Sequence, residues 1–407
     1  MPRATAISTI ALVTALPGLA LAQETHQWGA KNVPDFEPAF ENQTRAPLTP
    51  SDYEIQSTEV AGGLVHPWAI EMLPGDGGYL VTERSGNLRH IGEDGTLSDP
   101  ISGVPEVFNQ GQGGLLDVKA GPSFEDDRMI YLTYSKPMGD GMSATAAARG
   151  VLSEDMTQLS EVEDIFVQDP PSPTAKHYGS RVVFDGDGHV FVTMGEHSSM
   201  DERVYSQDLD KTYGKVARLN LDGSVPDDNP FLDDDAAIDS IYSYGHRNVQ
   251  GAAIRPSTGN LWTIEHGPAG GDELNLIEPG ANYGWPVVSY GEQYSGNPIG
   301  SGEAAHEPEG FVEPRYYWDP VIAPGDMTFY EGGMFSDWEG DILIGGLVSG
   351  GLVRVALDDS TATEEERIMP QLGRVRDVEV DEDGSLLVAT DFPDGAVIRL
   401  TTGSGTN

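Results

Sequence analysis

The sequence repeats one short pattern six times, and this repetition constrains the fold more than any other feature. Each copy has an apolar residue, a turn rich in Pro, Asp and Gly, and then a run of alternating apolar residues. Alternation with a period of two is typical of a β-strand, and an Asp-Gly turn beside it is typical of a hairpin. The six repeat copies are LPGDGGYLVTER (73–84), GPSFEDDRMIYLTYS (121–135), FDGDGHVFVTMGE (184–196), RPSTGNLWTIEHG (255–267), FSDWEGDILIGGL (335–347) and VDEDGSLLVATD (380–391).

Further short strands are predicted beside many copies, such as RVVF before the third copy and KVARLNL after it. Four strands per unit, repeated every several tens of residues, are typical of a β-propeller blade. The sequence therefore predicts an all-β fold, a six-bladed β-propeller with four-stranded antiparallel blades. A pair of sandwiches or a β-helix is the alternative, because hairpin signals do not fix how sheets are arranged. We expect residues 53–61 and 395–402 to close the ring, and long loops to fill the wide gap between the fourth and fifth copies.

The N-terminus has the features of a secretory signal peptide. An apolar stretch from Ala6 to Leu21 follows an arginine, and Ala20-Leu21-Ala22 is a small-x-small cleavage sequence. The stretch is short and contains a proline and a glycine, which makes a membrane anchor the weaker interpretation. We therefore expect a periplasmic or secreted protein without membrane insertion. The predicted divisions are a signal peptide at 1–22, an irregular N-terminal extension at 23–52 and a propeller domain at 53–407.

The chain is strongly acidic, with 66 Asp and Glu against 23 Lys and Arg and a formal net charge of −43. Such a charge repels nucleic acids and anionic membranes, so neither is an expected partner. We interpret the acidity as a solvated surface suited to salty surroundings, where screening reduces self-repulsion. The chain also has no cysteine, so a large core rather than disulfide bonds must stabilise it.

Against this acidic background, clustered arginines are informative. In GRVRDVEVDEDG (373–384), Arg374 and Arg376 are two residues apart in a predicted strand, so their side chains point the same way. Arg247 lies in SYGHRNVQG (243–251), at another predicted blade edge. Because a propeller gathers its inner strand ends around one channel, the three guanidiniums would converge there. A guanidinium binds a planar carboxylate through two hydrogen bonds, so a rigid ligand with several carboxylates would suit them.

Other polar and aromatic residues at the blade edges would complete such a site. We expect Gln112, Asn248 and Gln250 to hydrogen-bond the carbonyls of the ligand. Tyr294 or Trp318 would stack on a flat ring. Taken singly, each stretch also fits an ordinary structural role, such as a tight glycine turn or a packed aromatic ring. Only their combination indicates a ligand-binding site.

These motifs resemble those of a known family. HYGSR, GHRNVQG, EHGPAGGDELNLI, NYGWPVVSYG and RVRDV are similar in order and spacing to the motifs of the soluble aldose sugar dehydrogenases, relatives of the quinoprotein glucose and sorbosone dehydrogenases. The resemblance implies a six-bladed propeller that uses pyrroloquinoline quinone (PQQ) and Ca²⁺ to oxidise aldose sugars at C1 to the lactone. It also implies an external electron acceptor, such as a cytochrome c or a quinone. PQQ carries three carboxylates, which agrees with the three arginines.

The resemblance assigns roles to single residues as well. It implies that His177 is the general base for the sugar hydroxyl and that Glu196 orients this histidine. A histidine suits the role because its unperturbed pKa lies near neutrality. The resemblance further implies two calcium sites. One ion would be bound by the backbone carbonyls of Gly267 and Pro268 and polarise the quinone, and a second, structural ion would be bound by Glu273 and the carbonyl of Tyr283.

One position departs from the family pattern, and two other functions are compatible with the fold. GGLVSGG places Val348 at or beside a lysine of many relatives, so one contact with the cofactor is missing. A calcium-dependent lactonase or other hydrolase propeller would need a central cage of Asp, Glu and Asn rather than arginines and amides. A non-catalytic sugar-binding propeller would not need His177. A monomer and a homodimer are both compatible with the sequence.

Overall fold

In the computed structural model, which describes residues 28–403, each of the six repeat copies joins the first and second strands of one antiparallel sheet. The third copy illustrates the turn. The Asp185 carboxylate accepts hydrogen bonds from the backbone N–H groups of Asp187 and His189, and Gly186 and Gly188 have φ of +81° and +98°. Such Asx turns with glycine at positive φ reverse a chain tightly. The six copies thus mark six sheets, which confirms the predicted six-bladed β-propeller.

The described residues contain 23 strands and only short helical turns. The strands, in chain order, are β1 (Ile55–Leu64), β2 (Pro67–Met72), β3 (Tyr79–Glu83), β4 (Asn87–Ile91), β5 (Leu115–Ala120), β6 (Met129–Pro137), β7 (Ser143–Leu152), β8 (Leu159–Val167), β9 (Gly179–Phe184), β10 (His189–Met194), β11 (Lys215–Asn220), β12 (Ile241–Tyr244), β13 (Val249–Arg255), β14 (Asn260–Glu265), β15 (Asp272–Leu276), β16 (Tyr316–Trp318), β17 (Pro324–Phe329), β18 (Ile342–Gly346), β19 (Leu352–Asp358), β20 (Thr361–Ile368), β21 (Val375–Val380), β22 (Leu386–Thr390) and β23 (Gly395–Thr402). The helical segments are the single α-helical turn α1 (Phe124–Asp127) and 3₁₀ turns at Gly75–Gly77, Arg203–Ser206, Glu307–Glu309, Ser336–Trp338 and Pro370–Leu372.

The two ends of the described chain close the ring. Strand β1 pairs with β23 from Ile55 opposite Thr402 to Leu64 opposite Gly395, so the sixth sheet has the order β1-β23-β22-β21. This pairing confirms the closure predicted from residues 53–61 and 395–402. The second to sixth sheets have four strands within residues 28–403, whereas the first has three, β2 to β4. At its outer edge a single bridge from Ile91 to Leu97 follows β4.

The innermost strands β2, β5, β9, β13, β17 and β21 surround the central axis, and each contacts the next around the ring. Their N-terminal ends meet at one end of the ring, which we call the mouth face. Six clusters of buried apolar side chains lie between successive blades. Strands β18 and β22 are buried along their whole length. Their alternating side chains therefore face two different interblade interfaces, rather than a core on one side and solvent on the other.

The segment before the first blade contains no regular strand or helix over residues 28–54. It follows the outside of the fourth and fifth blades, where the backbone N–H groups of Asn32 and Val33 bond the Asp319 carboxylate. Leu48 forms an isolated bridge with Glu365. The predicted signal peptide at 1–22 lies outside the described residues. Across residues 28–403, no helix has the length and apolar character needed to cross a membrane.

The long loop predicted between the fourth and fifth repeat copies connects β15 to β16 over residues 277–315. It returns to the mouth face, because Ala269 and Glu292 exchange backbone hydrogen bonds of 2.9 and 3.1 Å. The loop thereby brings Tyr283, Trp285 and Tyr294 to the end of the ring where the inner strands begin.

Candidate functional site

A cavity of about 260 Å³ opens at the centre of the mouth face. Its lining comes from residues that precede or begin the inner strands of all six blades, from residues that follow the second strands of the first, fourth and fifth blades, and from the long loop. Eight predicted catalytic and cofactor-binding residues line it, and so does Gly267 of the predicted metal ligands. The eight are Gln112, His177, Arg247, Asn248, Gln250, Tyr294, Arg374 and Arg376. The structure therefore brings together residues that are as far as 264 positions apart in the sequence, from Gln112 to Arg376.

His177 lines this cavity and forms a hydrogen-bonded pair with Glu196. Nδ1 of His177 lies 2.9 Å from Oε1 of Glu196, and both side chains are buried. The second carboxylate oxygen of Glu196 accepts a hydrogen bond from the backbone N–H of Ser198 at 2.6 Å. When Glu196 is ionised it can only accept, so the proton resides on Nδ1 of the imidazole and Nε2 is left as a proton acceptor.

Burial shifts the pKa of each group in the direction that favours its uncharged form. It lowers the pKa of His177 well below the ordinary value, and the positive charge of Arg247 adds to this effect. It also raises the pKa of Glu196 to about 7, although Arg247 acts in the opposite direction. His177 is thus a neutral imidazole at neutral pH, and its tautomer depends on whether Glu196 carries a proton.

The backbone around His177 is held by two of the predicted amide residues. The side-chain oxygen of Gln112 accepts the His177 N–H at 2.8 Å, and that of Asn248 accepts the Gly179 N–H at 3.0 Å. Gly195 passes so close that an added Cβ would lie 1.9 Å from the His177 carbonyl oxygen. The oxygens of both amides are therefore used internally. Among residues 28–403, no acceptor bonds the amide NH₂ groups of Gln112 and Asn248, so these donors remain available to a ligand.

Arg374 and Arg376 share one internal counter-ion, Asp391. Its Oδ2 lies 3.0 Å from Nη2 of Arg374 and 2.8 Å from Nη2 of Arg376, while Oδ1 bonds Nδ1 of His66 at 2.8 Å. The paired guanidiniums hold the pKa of Asp391 well below its usual range, against the effect of burial. Arg376 also donates to the side-chain oxygen of Gln250 at 2.6 Å. The two arginines do share a face as predicted, but in this structure the anion between them is a carboxylate of the protein.

Arg247 differs from this pair because, within residues 28–403, no carboxylate lies within 4 Å of its guanidinium. Its Nη1 donates to the carbonyl of His266 at 2.8 Å, and its Cζ lies 5.3 Å from the centre of the Trp285 ring. Its buried Nε has no hydrogen-bond partner among the described residues. A buried guanidinium without a carboxylate partner is costly, so this position favours an anionic ligand.

A second, small cavity of about 10 Å³ lies beside the first and is lined by all four predicted metal ligands, Gly267, Pro268, Glu273 and Tyr283, and by Glu265. Gly267 is required here, because an added Cβ would lie 2.1 Å from the carbonyl oxygen of Gly271. Burial, reinforced by the nearby charge of Glu265, raises the pKa of Glu273 well above its ordinary value. Two carboxylates in one buried cavity are stabilised either by a proton or by a cation.

Asp272 positions the loop that carries these carbonyls. One oxygen of its carboxylate accepts the Gly267 N–H at 2.8 Å, and the other accepts the N–H groups of Ile322 and Ala323 at 2.8 and 2.7 Å. The side chain is buried, and burial raises its pKa to about 7. The loop after β14 is therefore tied to the start of the fifth blade.

The two aromatic residues that were expected to stack on a ligand lie in different places. Tyr294 lines the main cavity and is 81% exposed at its mouth. Trp318 belongs to the outermost strand of the fourth blade, is only 2% exposed and packs in the core between the fourth and fifth blades, with its ring 4.7 Å from that of Tyr316. The prediction that Trp318 stacks on the ligand is therefore wrong. An aromatic residue on an outer strand packs in the core between blades and does not reach the central axis.

Several lining residues were not anticipated from the sequence. Trp68, Arg84 and His266 line the main cavity, and Asp391 bonds two of its arginines. Nε2 of His266 donates a hydrogen bond to the side-chain oxygen of Gln250 at 3.1 Å. A signal was present for two of them, because Arg84 and Asp391 are the last residues of the first and sixth repeat copies.

A further group of acidic residues lies in the central channel. Arg181 is fully buried and contacts Asp117, Asp326 and Asp377 at 2.9 to 3.2 Å, and its Cζ lies 4.1 Å from the centre of the Trp68 ring. Asp326 and Asp377 also lie close to Glu379, which bonds Lys119. The cage of acids expected for a hydrolase propeller is thus partly present, but basic side chains occupy it and Trp68 separates it from the cavity.

Comparisons with known proteins identify similar sequences and structures. A family model described as Glucose / Sorbosone dehydrogenase matches residues 64–399. The chain is 42% identical over 341 residues to the aldose sugar dehydrogenase YliI of Escherichia coli (strain K12), covering 83% of this chain and 90% of that protein. The apo-form structure of the soluble aldose sugar dehydrogenase from Escherichia coli superposes with a TM-score of 0.82 at 40% identity, covering 86% of this chain and 100% of that one. The PQQ-bound aldose sugar dehydrogenase from Streptomyces coelicolor superposes with a TM-score of 0.70 at 27% identity, covering 87% of this chain and 99% of that one.

Proposed function

Because the chain belongs to the glucose/sorbosone dehydrogenase family of oxidoreductases, we propose that it oxidises aldose sugars at C1 to the lactone, with PQQ as cofactor and Ca²⁺ as metal. The observation that carries the proposal is the placement of His177. Its Nε2 is free to accept a proton, and it lines the same cavity as three arginines predicted to bind carboxylates. A general base and a site for an anionic cofactor therefore share one chamber.

The residues around the main cavity suit PQQ. Arg247 offers a buried guanidinium without a carboxylate partner among residues 28–403, and Arg374 and Arg376 offer further donors beside Asp391. The free amide NH₂ groups of Gln112 and Asn248 would bond carbonyl or carboxylate oxygens of the cofactor. A relative whose structure is described as PQQ-bound supports the same assignment.

PQQ, when bound, supplies an ortho-quinone that accepts a hydride from C1 of the sugar. The role of the protein is to position the sugar and to move one proton. His177 Nε2 accepts the proton of the C1 hydroxyl, and Glu196 keeps the other imidazole nitrogen protonated so that Nε2 remains a base. Such positioned proton transfer is typically worth about a hundred- to ten-thousand-fold in rate.

One Ca²⁺ would be held where Gly267 lines both the main and the smaller cavity. The carbonyls of Gly267 and Pro268 are hard oxygen ligands, and Asp272 fixes the loop that carries them. Glu273, with the carbonyl of Tyr283, would hold the second ion, which would relieve the repulsion between Glu273 and Glu265. The fit rests on the oxygen-rich lining and on the buried pair of carboxylates.

The remaining parts of the proposal concern partners and location. The electrons would pass to an external acceptor such as a cytochrome c or a quinone, because the cavity is open to solvent beside Tyr294. The signal-peptide features of residues 1–22 support export to the periplasm or beyond the cell.

The test is reconstitution of the purified apoprotein with PQQ and Ca²⁺, followed by dye reduction with a panel of aldoses. We expect activity in the wild type, a loss of at least a hundredfold in His177→Ala, and little change in His90→Ala, whose ring bonds the Gly77 carbonyl away from the cavity. A wild type that reduces no dye with any aldose would refute the function. Full activity in His177→Ala would refute only the assigned base.

A further inference from the structure

The end of each repeat copy lies near the mouth of the ring, and Arg84 is the end of the first. The third and sixth copies end at Glu196 and Asp391, which bond the base and two cavity arginines. The fourth and fifth copies end at Gly267 and Leu347, which line the cavity. Arg84 lines the same cavity, so its position is equivalent to four positions that build the site.

The backbone of Arg84 is held in place, but its guanidinium makes no hydrogen bond or ion pair with the described residues. Its N–H donates to the carbonyl of His66 at 3.1 Å. Gly114 makes room for it, because an added Cβ there would lie 1.9 Å from the Arg84 carbonyl oxygen and 2.7 Å from its Cγ. Within residues 28–403, no carboxylate lies within 4 Å of the Arg84 guanidinium and no acceptor bonds it. The side chain is only half-buried, so water solvates it in the free protein.

The charges around the cavity favour a third carboxylate-binding position. Four guanidiniums line it, and Asp391 neutralises one of the two that it bonds. Three positive charges therefore remain, the same number as the carboxylates of PQQ. Without Arg84 only two positive charges would remain in the cavity. On the side of the fifth blade the lining residues are Ala323 and Leu347, and the neighbouring Val348 is 66% exposed, so no cation is supplied there.

We propose that Arg84 binds a carboxylate of PQQ and supplies the positive charge that Val348 does not provide. This inference rests on the proposed function. A guanidinium can donate two parallel hydrogen bonds to a carboxylate, which a lysine at position 348 could not. Arg84 would therefore be a cofactor-binding residue that acts on affinity and takes no part in proton transfer.

The experiment is a titration of apoprotein with PQQ in the presence of Ca²⁺, followed by tryptophan fluorescence and isothermal calorimetry without any sugar. Arg84→Ala is expected to raise the Kd for PQQ about ten- to hundredfold, since one charge-assisted pair is lost. Arg84→Lys is expected to raise it less, because it keeps the charge but not the paired donors. The control is Arg149→Ala, which removes an arginine that bonds Glu163 on the second blade outside the cavity.

A rescue variant separates a binding role from a structural one. In the Arg84→Ala background, Val348→Lys is expected to recover part of the lost affinity, because it places a cation next to the lining residue Leu347. If Arg84→Ala fails to fold by circular dichroism, Arg84→Gln replaces it. An unchanged Kd in the folded variant overturns the inference while leaving the function standing. A wild type that binds no PQQ overturns the function itself.

Discussion

Nδ1 of His177 lies 2.9 Å from Oε1 of Glu196, and the carboxyl group in this pair has a pKa raised to about 7 by burial. Below that pH the protonated carboxyl group donates to Nδ1, and the neutral imidazole then carries its own proton on Nε2. Nε2 is no longer a base in that form. The protonation state of Glu196 thus sets the tautomer of His177, and this relationship makes the activity depend on pH in a defined direction.

We predict that turnover of the reconstituted enzyme rises as the pH increases through about 7, where Glu196 loses its proton. Glu196→Gln should lower turnover about tenfold to a thousandfold and abolish this rise, because the amide cannot change charge. The measurement is turnover at saturating sugar between pH 5 and 9, with circular dichroism at each pH as the control for folding. A flat profile in the wild type would contradict the assignment.

Asp391 is predicted to stabilise the fold as well as the site. Asp391→Asn leaves the buried Arg376 without its carboxylate, so we expect a loss of about 3–5 kcal/mol in the free energy of unfolding measured with urea. Because the folded pKa of Asp391 is depressed, its contribution is present above the unfolded value of about 3.9 and is lost as the pH falls further.

The difference between the wild type and Asp391→Asn should therefore shrink only below about pH 4. Asp383→Asn is the matched control, since Asp383 pairs with Arg399 at 3.4 Å on the surface and such pairs are worth about 0–1 kcal/mol. Equal losses in the free energy of unfolding for the two variants would show that Asp391 contributes no more to stability than a surface acid does.

Calcium is predicted to stabilise the apoprotein through Glu273. A cation between Glu273 and Glu265 relieves the repulsion of two buried carboxylates, so Ca²⁺ at about 100 times its Kd should add about 2.7 kcal/mol of stability. We expect the thermal midpoint to rise with Ca²⁺ and to fall again with a chelator. Glu273→Gln should reduce this response, whereas Glu278→Gln should keep it, because Glu278 is exposed on the adjoining loop. The same calcium response in both variants would exclude the proposed ligand.

Much of the candidate site could be predicted from the sequence, because in a propeller the position of a residue relative to an inner strand indicates whether it lies at the mouth face. Residues just before an inner strand lie at the mouth, so Gln112, His177, Arg247 and Arg374 converge once six blades are assumed. Trp318 does not meet this rule, because it begins no inner strand and lies at the outer edge of a blade. His266 follows the second strand of its blade, so the rule does not cover it. Trp68 lies at the start of the inner strand β2, but an isolated aromatic residue in a strand is most often part of the core.

What the sequence by itself determined was local: the period-two alternation, the Asp-Gly turns and their sixfold repetition specify hairpins, and hairpins of this spacing specify blades. What only the tertiary structure decided was which groups become partners. Asp391 bonds His66 across 325 positions, and Arg181 of the third blade meets Asp377 of the sixth in the central channel. Such pairings depend on ring closure and on the depth of each side chain along the axis. Neither is encoded in the neighbourhood of a residue, because each is set by the packing of all six blades together.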